Sequence, residues 1–259
     1  MILLSVTIVI ALLVTIALPI AAGVWLNKKL GIRWSVITYG VLAYFIVQSV
    51  LMLILGGLGS LVGNGSLALT ENSYFYLQVG LSILLTALFG VLLRWAAMRF
   101  VKEKLDNLES AYAIGLGYGG AETLMIMGLP LLTTFIGMIQ TIGDNVVAEA
   151  WELSPLIPLG IAVERLTFLV LHLTVTLLIF QVFKRKKIIW LAAAMGLEIL
   201  ITGLTVALSE IGLQVGWVIL AAAVFMVGNL YLLFKLRAID LDLLKGKSTR
   251  KANAPVIEE

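Results

Sequence analysis

Residues 155–183 read Pro155-Leu-Ile-Pro-Leu-Gly-Ile-Ala-Val-Glu164-Arg165-Leu-Thr-Phe168-Leu-Val-Leu-His172-Leu-Thr-Val-Thr-Leu-Leu-Ile-Phe-Gln-Val-Phe183. An apolar helix of about 20 residues crosses the roughly 30 Å hydrocarbon core of a bilayer, and this run exceeds that length. Yet it carries Glu164, Arg165 and His172, the single histidine of the chain, well inside its ends. Ionisable groups at bilayer depth are costly, so they face a protein interior or a wet cavity and often mark function. Two other apolar runs each hold a lone glutamate near the centre, Glu122 and Glu198. The pattern predicts an all-α, polytopic membrane helix bundle with a polar centre built from several helices.

Outward from that run, seven spans can be drawn, at about 2–26, 34–63, 74–101, 110–139, 155–183, 188–208 and 213–236. With 61% hydrophobic residues among 259, the chain is not a soluble domain. Its net charge of +3 sits mostly in short clusters beside the spans, which reports topology and not nucleic-acid binding. Lys28, Lys29 and Arg33 follow span one, Arg99, Lys102 and Lys104 span three, Lys184–Lys187 span five, and Lys235 and Arg237 span seven. The alternate loops 64–73, 140–154 and 209–212 have no Lys or Arg. The positive-inside rule then puts the N-terminus outside and the C-terminus in the cytoplasm of a multi-pass cell-membrane protein. Residues 1–237 form a single transmembrane domain, and 238–259 a polar, frayed cytoplasmic tail. Span one lacks a basic n-region and is read as a retained helix. The 140–154 loop, with Trp151, is read either as a short amphipathic segment or as an irregular loop.

Helical spacing decides which polar residues can meet. Tyr118 and Glu122 are i,i+4 and share a face with Gly115. Arg165, Phe168 and His172 fall on one stripe, Glu164 reaches the same side through Phe168, and Glu198 stacks with Thr202; Glu164 and Arg165 themselves point apart. Spans four, five and six are expected to gather Glu122, Glu164, Arg165, His172 and Glu198 around one cavity. The bland alternatives are that Arg165 only neutralises Glu122 or Glu198, and that His172 is a hydrogen-bonded packing residue. The glycines of Gly115-Leu-Gly117-Tyr118-Gly119-Gly120-Ala121-Glu122 serve either close helix packing or the opening of backbone toward a cavity.

Several chemistries are excluded. The four aspartates, Asp106, Asp144, Asp240 and Asp242, lie in loops or the tail, so there is no intramembrane aspartyl dyad. Cysteine is absent, which removes disulfides, thiolate nucleophiles and zinc–cysteine sites. One histidine cannot supply a nitrogen-rich zinc shell. A carboxylate-rich divalent-metal site at Glu122, His172 and Glu198 stays open. So does glutamate as general base, Glu122 or Glu198, with His172 and Arg165 stabilising an oxyanion and Glu164 orienting them.

The segment Gly115-Leu-Gly-Tyr-Gly-Gly-Ala-Glu122 resembles the Gly-x-Gly-His-Gly-Gly-x-Glu segment of the YhfC-like membrane proteins. Glu164-Arg165 followed by Phe168-Leu-Val-Leu-His172 resembles that family's second signature and the Phe-x-x-x-His motif of the wider CAAX-protease and bacteriocin-processing superfamily. The likeness runs from span three to span six. It implies a helix bundle with a glutamate- and histidine-lined intramembrane site, of glutamic or metal type, cleaving peptide bonds in or beside the membrane. The chain departs from the pattern in two places. Phe89-Gly90-Val91-Leu92-Leu93-Arg94 keeps the arginine, but Gly90 and Val91 stand where two glutamates belong, and Tyr118 replaces the glycine-flanked histidine. Glu198-Ile-Leu-Ile-Thr202 aligns only loosely with a further His-x-x-x-Asp/Asn element. Three readings follow: an intramembrane peptidase, a pseudoprotease or scaffold that binds a transmembrane peptide or membrane-protein partner, and a proton- or solute-coupled carrier.

Overall fold

The computed structural model describes residues 2–101, 108–140, 154, 156–210 and 215–252; these form helices and short connections, with no strand among them. Seven helices are long and apolar enough to cross a membrane, as the hydropathy of the chain requires. We number them α1 (Leu3–Leu30), α2 (Trp34–Gly63), α3 (Glu71–Phe100), α4 (Leu108–Gln140), α5 (Leu156–Arg185), α6 (Ile189–Glu210) and α7 (Val215–Ala252).

The breaks between them have local causes. α1 ends at Gly31, whose φ of 66° closes the helix in the left-handed conformation that glycine adopts without strain. α3 starts where the Thr70 side chain accepts a hydrogen bond from the Ser73 N–H. Lys28 and Lys29 in the last turn of α1, Arg99 in that of α3, and Lys184 and Arg185 in that of α5 complement the negative ends of the helix dipoles.

Two spans are not continuous α-helix, contrary to their uniform apolar reading. α1 widens to a π-turn at Leu13–Ala17 and α4 to another at Leu124–Gly128. Each lies just before a proline, Pro19 or Pro130, and the carbonyl four residues before the proline, that of Thr15 or Ile126, is at the middle of the π-turn. Proline has no N–H for that carbonyl and its ring presses on it, so the helix expands there. The two π-turns pack together, with Gly128 beside Ile16 and the Thr15 carbonyl.

α5 is the axis of the bundle. It buries 72% of its apolar window, against at most 28% for any other span, and it packs on α1, α4, α6 and α7. That placement explains why α5 can carry Glu164, Arg165 and His172: its surroundings are protein. The outer helices turn large side chains outward, among them Met52, Leu53 and Phe100, as a lipid-facing surface demands.

The glycines of α4 allow close approach, which settles their two readings in favour of packing. A β-carbon at Gly117 would overlap the Ile37 carbonyl of α2, and one at Gly40 of α2 would overlap the Ile114 carbonyl of α4. On the adjoining face Gly115 and Gly119 lie against α5, where an added β-carbon would come within 3.0–3.1 Å of the Thr176 hydroxyl and His172 carbonyl, and within 3.0 Å of the His172 side chain, respectively. The helical backbone of α7 runs on through Ala252, and Ile239-Asp-Leu-Asp-Leu-Leu-Lys245 consists largely of helix-permitting residues. The 141–153 loop with Trp151, the cations Lys102 and Lys104, and residues 253–259 lie outside the described residues.

Candidate active site

The polar residues of α3, α4, α5 and α6 meet in one buried chain of charges. Arg94 of α3 is fully buried. Its Nε donates to the Gly90 carbonyl at 2.8 Å and its Nη2 to Glu198 Oε2 of α6 at 2.5 Å. Its Nη1 lies 3.3 Å from His172 Nδ1, and its guanidinium stacks 4.4 Å over the Tyr118 ring. On the other edge of the imidazole, Nε2 stands 3.1 Å from Glu122 Oε2 of α4. Arg165 follows: Nη1 is 3.9 Å from Glu122 Oε1, and Nη2 donates to Glu164 Oε1 at 2.5 Å. The Arg165 guanidinium lies 4.8 Å over Phe168. The order is Glu198, Arg94, His172, Glu122, Arg165, Glu164, so that each carboxylate touches a cation.

Four points differ from the spacing argument. Glu164 and Arg165, neighbours whose Cβ atoms point apart, still pair, because the long arginine side chain curls back along the helix. Arg165 serves Glu122 and Glu164, while the counter-ion of Glu198 is Arg94 of α3, expected to line the cavity together with Tyr118, Phe168 and Thr202 but not to pair with an acid. Thr202 is half-buried on the turn after Glu198 and makes none of the hydrogen bonds that join the cluster. Lastly, the side chains pack on one another with little exposed surface: Glu198 and His172 are each 2% exposed and Glu122 is 7% exposed.

A guanidinium has donors only, so in a neutral ring the contact with Arg94 favours Nδ1 as acceptor and the proton on Nε2, the edge that faces Glu122. Glu122 and Glu198 consequently approach opposite edges of the ring, Glu198 Oε1 lying 3.8 Å from Nδ1.

Tyr118 and Gly90, the two departures from the sequence pattern, are spatial partners. The Tyr118 hydroxyl is 2.9 Å from where a β-carbon at 90 would stand. The large ring occupies room released by the missing side chain; it packs tilted against His172 at 4.9 Å between centroids and edge-on against Tyr44 of α2 at 5.7 Å. Tyr44 was not legible as part of the site, since it sits in an ordinary apolar span. The Tyr118 hydroxyl is buried without a hydrogen-bond partner. Because a stranded buried hydroxyl costs about 1–3 kcal/mol, Tyr118→Phe is expected to leave stability unchanged or to raise it. Gly90→Ala should destabilise alone and be relieved when combined with Tyr118→Ala, with a coupling of about 0.5–3 kcal/mol. Thermal unfolding of the four proteins in detergent measures it.

The chain is thus a polytopic membrane helix bundle in which Glu, His and Arg side chains of four consecutive spans are in contact. The sequence model of the YhfC intramembrane metalloprotease family matches residues 14–226, and the chain belongs to that family. Comparison with curated proteins and with solved structures gives no match.

The family's description implies a metal, and the residues present do not fit one. A catalytic zinc takes three protein ligands at about 2.0–2.3 Å and leaves one position open. Here only Glu122 and His172 Nε2 face a common point, Glu198 stands on the far edge of the ring, and no group of three or more His, Asp or Glu among the described residues can hold an ion.

Proposed function

We propose that this family member is a non-hydrolytic, protease-like protein of the cell membrane, whose charged centre holds the bundle together and whose partners are lipid and transmembrane polypeptide segments. The observation that carries this reading is the pairing of Arg94 with Glu198 and His172 Nδ1, fully buried in the bundle. It ties up the cation, one acid and the imidazole in mutual contacts, where a hydrolase needs a free base beside a water. Gly90 and Val91, in place of a glutamate pair, point the same way. In this reading the N-terminus is outside, residues 1–237 are the membrane domain and 238–259 reach into the cytoplasm. The interior carboxylates are retained because removing any one would strand its buried partner.

A second reading is metal-independent peptide hydrolysis. It is favoured by one contact, the 3.1 Å approach of His172 Nε2 to Glu122 Oε2. There Glu122 would activate water while the Nε2 proton and Arg165 met the oxyanion. The two readings separate when protein N-termini are mapped in membranes of cells carrying the wild type, Glu122→Gln or His172→Ala. Three identical sets are expected. Termini present with the wild type and lost in both variants would overturn the non-hydrolytic reading.

A further inference from the structure

Away from the charged centre, α1, α2 and α4 enclose a groove of about 220 Å³ that runs along the outside of the bundle. Its walls are apolar, from Trp34 and Gly23 at one end, past Gly117, to Ile16, Phe45 and Met125 at the other. Trp34, Phe45 and Met125 are exposed, so the groove opens sideways toward the surrounding hydrocarbon.

Its dimensions select what can lie in it. From Trp34 to Phe45 it follows α2 for about three turns, roughly 16 Å. That is about half of a 30 Å hydrocarbon core, or one leaflet. Spread over this length, the volume leaves a narrow slot, wide enough for an alkyl chain and narrower than the roughly 10–12 Å diameter of a helix. The inner end is formed by residues of the two π-turns, Ile16 in α1 and Met125 in α4, so the proline-induced widening shapes the floor.

Beyond the Trp34 end stand three exposed cations, Lys28, Lys29 and Arg33, grouped around the Gly31 turn. Among the described residues none of them is ion-paired. An apolar slot one leaflet long that ends beneath unpaired cations matches a lipid with an anionic headgroup. We propose that this groove is a binding site for an anionic phospholipid, with one acyl chain between α1, α2 and α4 and the phosphate at Lys28, Lys29 and Arg33. The basic loops place it in the leaflet on their side of the membrane, where anionic lipids gather against juxtamembrane cations.

The test uses the full chain in phosphatidylcholine vesicles doped with phosphatidylglycerol that carries a photoactivatable diazirine in its acyl chain, with adducts mapped by mass spectrometry. Adducts should concentrate at Ile16, Phe45 and Met125. The Lys28→Gln/Lys29→Gln/Arg33→Gln variant should lower their yield by about threefold or more, since each cation near the surface contributes. Gly23→Leu, used with a melting temperature matching the wild type, should abolish them by filling the slot; a β-carbon there meets Trp34 at an ordinary 3.4 Å. Undiminished adducts in that folded variant would overturn the site. Adducts spread evenly over outward residues such as Met52 and Leu53 would overturn the site. Equal yields from a phosphatidylcholine probe would overturn the headgroup assignment and mark boundary lipid only. Displacement of the probe by an equimolar hydrophobic transmembrane peptide would give the groove to a polypeptide and reject the lipid.

Discussion

Arg94→Leu is expected to destabilise the protein by about 3–5 kcal/mol, the cost of removing one partner from a buried ion pair. The stranded group is Glu198, which is 2% exposed and, among the described residues, has no other cation in hydrogen-bond range. His172 Nδ1 loses its donor in the same step, and the Gly90 carbonyl loses the bond from Nε. Arg94→Lys is not a conservative repair, because one ammonium cannot reach the Gly90 carbonyl, Nδ1 and Glu198 with the fixed fork of a guanidinium. Arg94→Leu/Glu198→Leu should recover much of the loss, since a buried pair exchanged for apolar residues of similar volume is often neutral. Thermal unfolding in detergent reads both. If the single variant melted like the wild type, the pairing described here would be wrong.

Gly40→Leu and Gly117→Leu are expected to be nearly as damaging, at or above the upper end of the about 1–3 kcal/mol typical of overpacking. At each position the obstacle is a backbone carbonyl of the facing helix, Ile114 or Ile37, which cannot rotate away as a side chain can. The helices must separate, and α4 carries Glu122 and Tyr118 with it. Gly56, later in α2, is the control: a β-carbon there meets nothing within 4 Å, so Gly56→Leu should fall within about 0.5 kcal/mol of the wild type. Retention of the wild-type melting temperature in Gly117→Leu would show that α2 and α4 are not in backbone contact.

The spans were legible because hydrocarbon thickness dictates their length, and all seven appear as helices. So were Glu122, Arg165, His172 and Glu198 as buried groups, because an ionisable residue deep in an apolar run must face protein. What spacing could not supply was partnership. Helix periodicity says which side of α3 carries Arg94, but only the packing of α3 on α5 and α6 pairs it with Glu198 and His172. The pairing of Glu164 with Arg165 escaped for a different reason: Cβ directions describe the start of an arginine side chain, not where its end goes. The π-turns were available from Pro19 and Pro130, each set inside an apolar run. The match of Tyr118 to the space at Gly90 was not, because it depends on two helices meeting at one level.

His172 is the single histidine of the chain, so selective ¹⁵N labelling of histidine gives one pair of ring resonances with no assignment problem. Their shifts and couplings, recorded on the full chain in bilayers, report which nitrogen carries the proton. The account predicts protonation at Nε2 with Nδ1 as acceptor, and no change when Zn²⁺ is added. A proton on Nδ1, or an Nε2 signal that moves to a metal-bound position with Zn²⁺, would contradict it.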